Sequence, residues 1–277
     1  MEEEAIAKLV NKIFYGGFGE IITKEDLVKS IAKDKDIFKK AFEKTYGKDA
    51  VKGAMNFEKA ENGNYYFNSF DLTLTKEDGQ QFSKKFTNYY GNSFTLKEAY
   101  NMLDGRSVHK EFLPIQKKNE KTGEYPSLQK DDAGKVITFK AWHYLDFTEK
   151  DENGDFLTKK NFNYDLEKAL SQEPIRELNY PQSKSEVKNS LERGNRQMVN
   201  YLDKKGNSTK KYIDANPRFG SINRYDENLN PERLREHSNL KAKNQEQAIT
   251  QDAKELGKNQ GVKQNQPKAK SRQTVRR

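Results

Sequence analysis

Cysteine is absent from this 277-residue chain, which removes disulfides and Cys-ligated metal sites and permits a reducing compartment. Histidine is scarce. His109, His143 and His237 are the only three, and none stands at a His-x3-His or His-Glu-x2-His spacing, which puts two imidazoles on one helix face for zinc. No apolar run approaches ~18 residues, so no segment is expected to cross a membrane. The start, MEEEAIAKLVNKIF, is acidic where a secretory signal would be basic. The expectation is a cytoplasmic protein. Neither a Gly-x-Ser-x-Gly elbow nor a Walker-type loop occurs. YGGFGE lacks a following Lys-Ser/Thr and follows no strand, so it reads as a helix-ending turn.

Core-forming residues are also short. AVILMFWYC make up 33% of the chain and charged residues 34%, so much of it must face water. What is plentiful is aromatic. The 16 Phe and 14 Tyr argue against wholesale disorder, because disordered chains are poor in such residues. The composition therefore implies small folded units plus solvated segments.

Those units are two copies of one pattern. From Tyr66 the chain reads strand, turn, strand, helix. Phe70, Leu72 and Leu74 share one strand face, Asp78-Gly79 turns the hairpin, and Thr95-Leu96-Lys97-Glu98 is a capping box. Leu96, Ala99, Tyr100 and Leu103 then form one helical face, ended by Asp104-Gly105. The pattern returns from Phe139, with Leu72 matching Leu145 at an offset of 73 and Ala99 matching Ala169 at an offset of 70. On this reading the register is intact and only the connection is shorter. Two helices precede the first copy, and residues 36–58 fit helix or strands, the duplication favouring strands. After the second copy, Ser183-Lys184-Ser185-Glu186 reads as a further capping box, and a further hairpin turns at Gly206-Asn207. The expected fold is α+β: a duplicated antiparallel β-hairpin plus helix unit, N-terminal helices and a disordered basic C-terminal tail. The corresponding segments are 1–112, a polar linker or mobile loop at 113–133, 134–229, and the tail at 230–277.

Few residues ask for chemistry. His143 aligns with Phe70 on the apolar strand face and reads as a packed core residue. Asp151, Asn153 and Asp155 resemble the start of a calcium loop, but Gly154 comes too early and Phe162 stands where the loop needs Glu, so a hairpin turn is expected. Tyr89, Tyr90 and Trp142 are aromatic enough to stack bases, yet strand positions favour the core. Arg106 and Arg176 occupy matched positions after the repeat helices and are candidate anion contacts, against the plainer reading of cations at helix C-termini. No carboxylate pair stands out, so no catalytic residue, metal or cofactor is assigned and an enzyme is not expected.

Charge is where function shows. Between Leu256 and Arg277 stand Lys258, Lys263, Lys268, Lys270, Arg272, Arg276 and Arg277 with no acid, so +7 of the net +9 lies there. Such a run can neutralise phosphates without reading sequence, and makes DNA or RNA the expected partner. The alternative is a merely solvated tail.

The runs YYFNSFDLTLTKEDG, FTLKEAYNMLDGRSVHKEF, AWHYLDFTEKDENGDF, YDLEKAL, PIREL, LERGNRQMV and KKYIDANPRFGSINRYD, with GFGE and FKKAFEKTYGKDAVKGAMNF before them, resemble an uncharacterised family of unknown function. That family is carried on conjugative elements and plasmids of Bacteroidetes, and the resemblance spans roughly residues 10–228. It brings no catalytic residues. It implies the company of conjugation, topoisomerase and DNA-processing genes, and hence an accessory protein of a mobile element. A protein of the same element, or a host defence factor, is the alternative partner.

Overall fold

In the computed structural model the described residues are 2–89, 91–114 and 127–232. The expected disordered tail beyond Glu232 and the centre of the 113–133 linker lie outside them.

Helix α1 (Glu3–Ile13) carries Glu3 and Glu4 in its first turn, where the helix dipole is positive, and buries Leu9 and Ile13. It runs into a wide turn, Phe14–Phe18, broken at Gly17 with φ of +83°. This is the helix-ending turn expected of YGGFGE. The break drops Phe18 into the core, edge-on to Phe42, Phe67 and Phe70 at 5.0–5.7 Å. Helix α2 (Lys24–Ile31) follows, the Thr23 hydroxyl accepting from the Asp26 amide at 3.1 Å.

Residues 36–58 are strands. β1 (Ile37–Tyr46), β2 (Asp49–Lys59), β3 (Tyr65–Thr75), β4 (Gln81–Tyr89) and short β5 (Asn92–Ser93) form an antiparallel meander in sequence order. Its ladder shifts at Asn56/Phe57, leaving Asn68 as the extra residue of a bulge in β3. Because side chains alternate along a strand, that bulge brings odd-numbered Tyr65 and Phe67 to the same buried side as Phe70, Leu72 and Leu74. Lys12 of α1 donates beside the bulge to the carbonyls of Phe67 and Asn88, fixing the helix over the sheet. Helix α3 (Leu96–Leu103) has the expected capping box and buries Leu96, Ala99, Tyr100, Met102 and Leu103.

β6 (Val108–Phe112), β7 (Phe139–Lys150) and β8 (Phe156–Asn161) form a second antiparallel sheet, so strands from both sides of the 113–133 segment pair directly. Helix α4 (Leu166–Ser171) and α5 (Pro181–Glu192) lead to a third sheet of β9 (Gln197–Leu202), β10 (Ser208–Asn216) and β11 (Ser221–Tyr225). Residues 1–231 make one compact unit. Helix α5 starts at Pro181, two residues before the capping box read from the sequence, because the missing amide of proline suits a helix's first position.

The duplication survives in outline, and its register does not. Both hairpins turn on matching loops, 76–80 and 151–155, with Gly79 and Gly154 at φ of +85° and +82°. Counting from these loops, Leu145 opposite Thr158 takes the ladder place of Thr73 opposite Ser83, not that of Leu72. Residues 147–149 bulge out of β7 and absorb the slip. A slip normally exposes a strand's apolar face. Here it does not, because β7 is buried on both sides: Leu145 belongs to a core with the five-stranded sheet, and Trp142 to a second core with α4, α5 and the third sheet.

Gly53 lies where β2 crosses the Phe42 ring. A Cβ there would stand 2.5 Å from both Phe42 Cζ and the Asp71 carbonyl oxygen. Gly53→Ala should lower the unfolding free energy by roughly 1–3 kcal/mol, since overpacking forces the backbone to shift. Urea denaturation of the two proteins checks this.

Candidate functional site

The described residues enclose a cleft of about 900 Å³ lined by the β1–β2 turn, the 76–78 turn, α3 and its exit, Arg196, Tyr212 and the 229–230 turn. Two helix endings build it. Helix α3 stops at Gly105, φ +80°, with Arg106 N–H donating to the Asn101 carbonyl at 3.0 Å. Helix α5 stops at Gly194, φ +76°, with Asn195 N–H donating to the Ser190 carbonyl at 3.1 Å. Both are left-handed glycine caps that reverse the chain sharply. The first places Asp104 and Arg106 on either side of Gly105. The second delivers Arg196, and the buried Asn101 amide holds it there by donating to the Arg193 carbonyl at 2.9 Å and to Asn195 at 3.2 Å.

One carboxylate then serves three cations. Asp104 takes Lys76 at 2.5 Å, Arg106 at 3.0 Å and Arg196 at 3.9 Å. Lys76 also meets Asp49 at 2.8 Å, and Asp49 accepts from the Tyr100 hydroxyl at 2.9 Å. Behind them Asp214, 1% exposed, pairs with Arg196 at 3.4 Å, and burial pushes its carboxyl up. Tyr46 and Tyr100 stack with ring centroids 4.3 Å apart. The Lys97 amine lies 4.4 Å from each ring centre, and among the described residues no carboxylate comes within ion-pair range of it. The residue is exposed overall, while its amine lies over the two rings. That cover and the nearby Arg106 push the amine down to about 8. Burial pushes the Tyr46 hydroxyl up to about 12, and Tyr100 up further, so both remain neutral donors.

Family models, curated proteins and solved structures offer no match to this chain.

The candidate residues read from sequence separate. Arg106 is 6% exposed and lines the cleft, its Nε buried without a partner. Arg176 is exposed in a short 3-10 turn, Arg176–Asn179. The matched positions are therefore not equivalent, because α4 ends without a glycine and runs into Pro174 rather than reversing as α3 does. The seven tail cations from Lys258 to Arg277 lie outside the described residues. Trp142 is buried, Tyr89 is 59% exposed, and Tyr90 is outside the description. The 151–155 segment is a hairpin loop whose Asp151 carboxylate accepts from the Asn153 and Asp155 amides. Among the described residues no group of acids and histidines is placed to hold a metal. Lys97, Tyr46, Asp49, Asp104 and Arg196 were not singled out by the sequence. Only the two glycine helix stops beside arginines, DGR and RGNR, hinted at them.

His143 is the packed core residue expected, 1% exposed between Phe94 and Phe112. Burial, with Lys160, His109 and Lys110 adding to it, pushes the imidazole down to about 4. The unfolded chain thus binds a proton between pH 6.5 and 4 that the folded chain refuses, so stability falls with pH across that window. The loss should level off near pH 4 at roughly 3 kcal/mol. Denaturation midpoints from pH 7 to 4 should show this in the native protein, with a shallower fall in His143→Leu.

Proposed function

We propose that this is a non-enzymatic accessory protein of a mobile genetic element, acting in the cytoplasm, that binds nucleic acid weakly and without sequence preference through residues 256–277. The observation that carries the reading is charge segregation: those 22 residues hold +7, and the 255 before them only the remaining +2. A near-neutral folded unit repels polyanions little, while a run of cations without acids exchanges condensed counterions for protein charge. The resemblance to a plasmid-borne family supports the setting. Affinity for single- and double-stranded DNA should fall steeply with salt, with a log–log slope approaching roughly −6 on duplex and about −5 on single strands if all seven cations engage. Removal of residues 256–277 should abolish most of that slope. An affinity unchanged by truncation would remove the tail from the account.

A second reading is a protein-interaction module on the duplicated β/α surface. It is favoured by the aromatic side chains that surface leaves in water: Tyr66 at 42%, Tyr89 at 59% and Phe162 at 61% exposure. Partners recruited this way should survive deletion of the tail in a pull-down, and should be lost on triple substitution of these three aromatics by Ser.

A further inference from the structure

We propose that the cleft at Lys97, Arg106 and Arg196 is a binding site for a phosphomonoester group, carried by a nucleotide or by the phosphorylated end of a polynucleotide. The tail reading neither requires nor supplies this site. The argument rests on how the charges are distributed. Along the cleft wall, Lys76, Lys97, Arg106 and Arg196 face Asp49 and Asp104, with Asp214 behind Arg196, so four cations meet three carboxylates. The two lining carboxylates are already engaged, Asp104 by three cations and Asp49 by Lys76 and the Tyr100 hydroxyl. The remaining lining charges sit on the rim, where Lys48 pairs with Glu77 at 2.8 Å beside Asp78. The interior is left with an excess of cation.

Donors are in excess as well. The Lys97 amine has three N–H bonds and only the faces of Tyr46 and Tyr100 against it. The buried Arg106 guanidinium satisfies Asp104 through one terminal nitrogen while its Nε has no acceptor. Ring faces hold a cation but accept no strong hydrogen bond from it, so an incoming oxyanion gains charge-assisted bonds at no loss of an existing ion pair. Tyr46 and Tyr100 exclude water from one side of the amine, which strengthens its attraction for an anion. The volume, about 900 Å³, accepts a whole nucleotide rather than a bare ion. A monoester dianion suits the site better than a diester, since two charges answer Lys97 and the shared guanidinium pair together.

Protonation should gate the site. The groups facing the Lys97 amine are Tyr46 from β1, Asp49 from β2, and Tyr100, Asp104 and Arg106 from α3 and its exit, with Lys76 and Arg196 beyond Asp104. Both tyrosines stay protonated across neutral pH, so between pH 7 and 9 the amine is the group that changes. Binding should weaken over that interval as it loses its proton.

The test uses full-length protein and calorimetry with AMP, adenosine, and a short oligonucleotide with and without a 5′-phosphate. AMP and the 5′-phosphorylated strand should each bind more tightly than their unphosphorylated counterparts. Lys97→Gln should weaken the phosphorylated ligands about ten-fold or more, the worth of one charge-assisted bond. Lys97→Arg should retain most of the affinity. A full-length variant with all seven tail cations replaced by Gln should keep AMP affinity while losing salt-sensitive DNA binding. Equal affinity with and without phosphate, or equal AMP affinity in native protein and Lys97→Gln, would overturn the proposal. Loss of AMP binding in the tail variant alone would assign the phosphate to the tail instead. Tightening by AMP but not by the 5′-phosphorylated strand identifies the free nucleotide as the source.

Discussion

Strand β7 has apolar neighbours on both of its faces, and the rest of the molecule is arranged by that fact. Leu145 looks toward the aromatic core under the five-stranded meander, while Trp142 looks the other way into the core of the helices and the third sheet. A strand wet on one face must alternate; a strand buried on both need not, and AWHYLDF does not. The same circumstance makes the register slip against the first repeat tolerable. It also joins what look like two halves, since β6 and β8 flank β7 and carry the chain on either side of the 113–133 segment into one sheet.

The cleft depends on a second constraint, that the chain reverse at two glycine caps. A Cβ at Gly194 would meet the Ser107 carbonyl oxygen at 2.9 Å, so the α5 exit lies directly against the α3 exit. Two arginines and a lysine from distant parts of the chain are thereby crowded around the Asp104 carboxylate. Removing four charged groups from water is costly, and the cluster is held together because both Asp104 oxygens are paired, Oδ1 with Lys76 and Oδ2 with the two arginines. Lys97 stands outside that exchange, which is what the proposed phosphate site relies on.

The basic segment and the cleft would treat phosphate by different physics. On the proposed reading, residues 256–277 would exchange condensed counterions, weakly per contact and with loss in salt. The cleft offers fixed donors on a folded wall, where screening is weaker and geometry discriminates. An accessory protein equipped with both would hold a polynucleotide loosely along its length and distinguish a phosphate end or a free nucleotide from the rest.

Local signals carried much of the fold. The capping box at Thr95–Glu98, the glycine turns at 79, 154 and 206, the π-turn after α1 and the pairing of hairpin with helix are nearest-neighbour chemistry, and the residues that make them are adjacent in the chain. The bulge at Asn68 and the slip in β7 depend on what packs against those strands, so alternation alone missed them, whereas the start of α5 at Pro181 follows the proline rather than the Ser183–Glu186 box. The cleft was the least legible part. Arg106 was picked out for its match to Arg176, yet the structure buries one and exposes the other, because a glycine cap follows α3 and a proline follows α4. By itself the sequence determined the helix stops, the hairpin turns and the segregation of charge, since each is a property of neighbouring residues. Only the tertiary structure decided that Tyr46, Lys97, Asp104 and Arg196 share one site, because residues up to 150 positions apart meet there through burial, which no local pattern encodes.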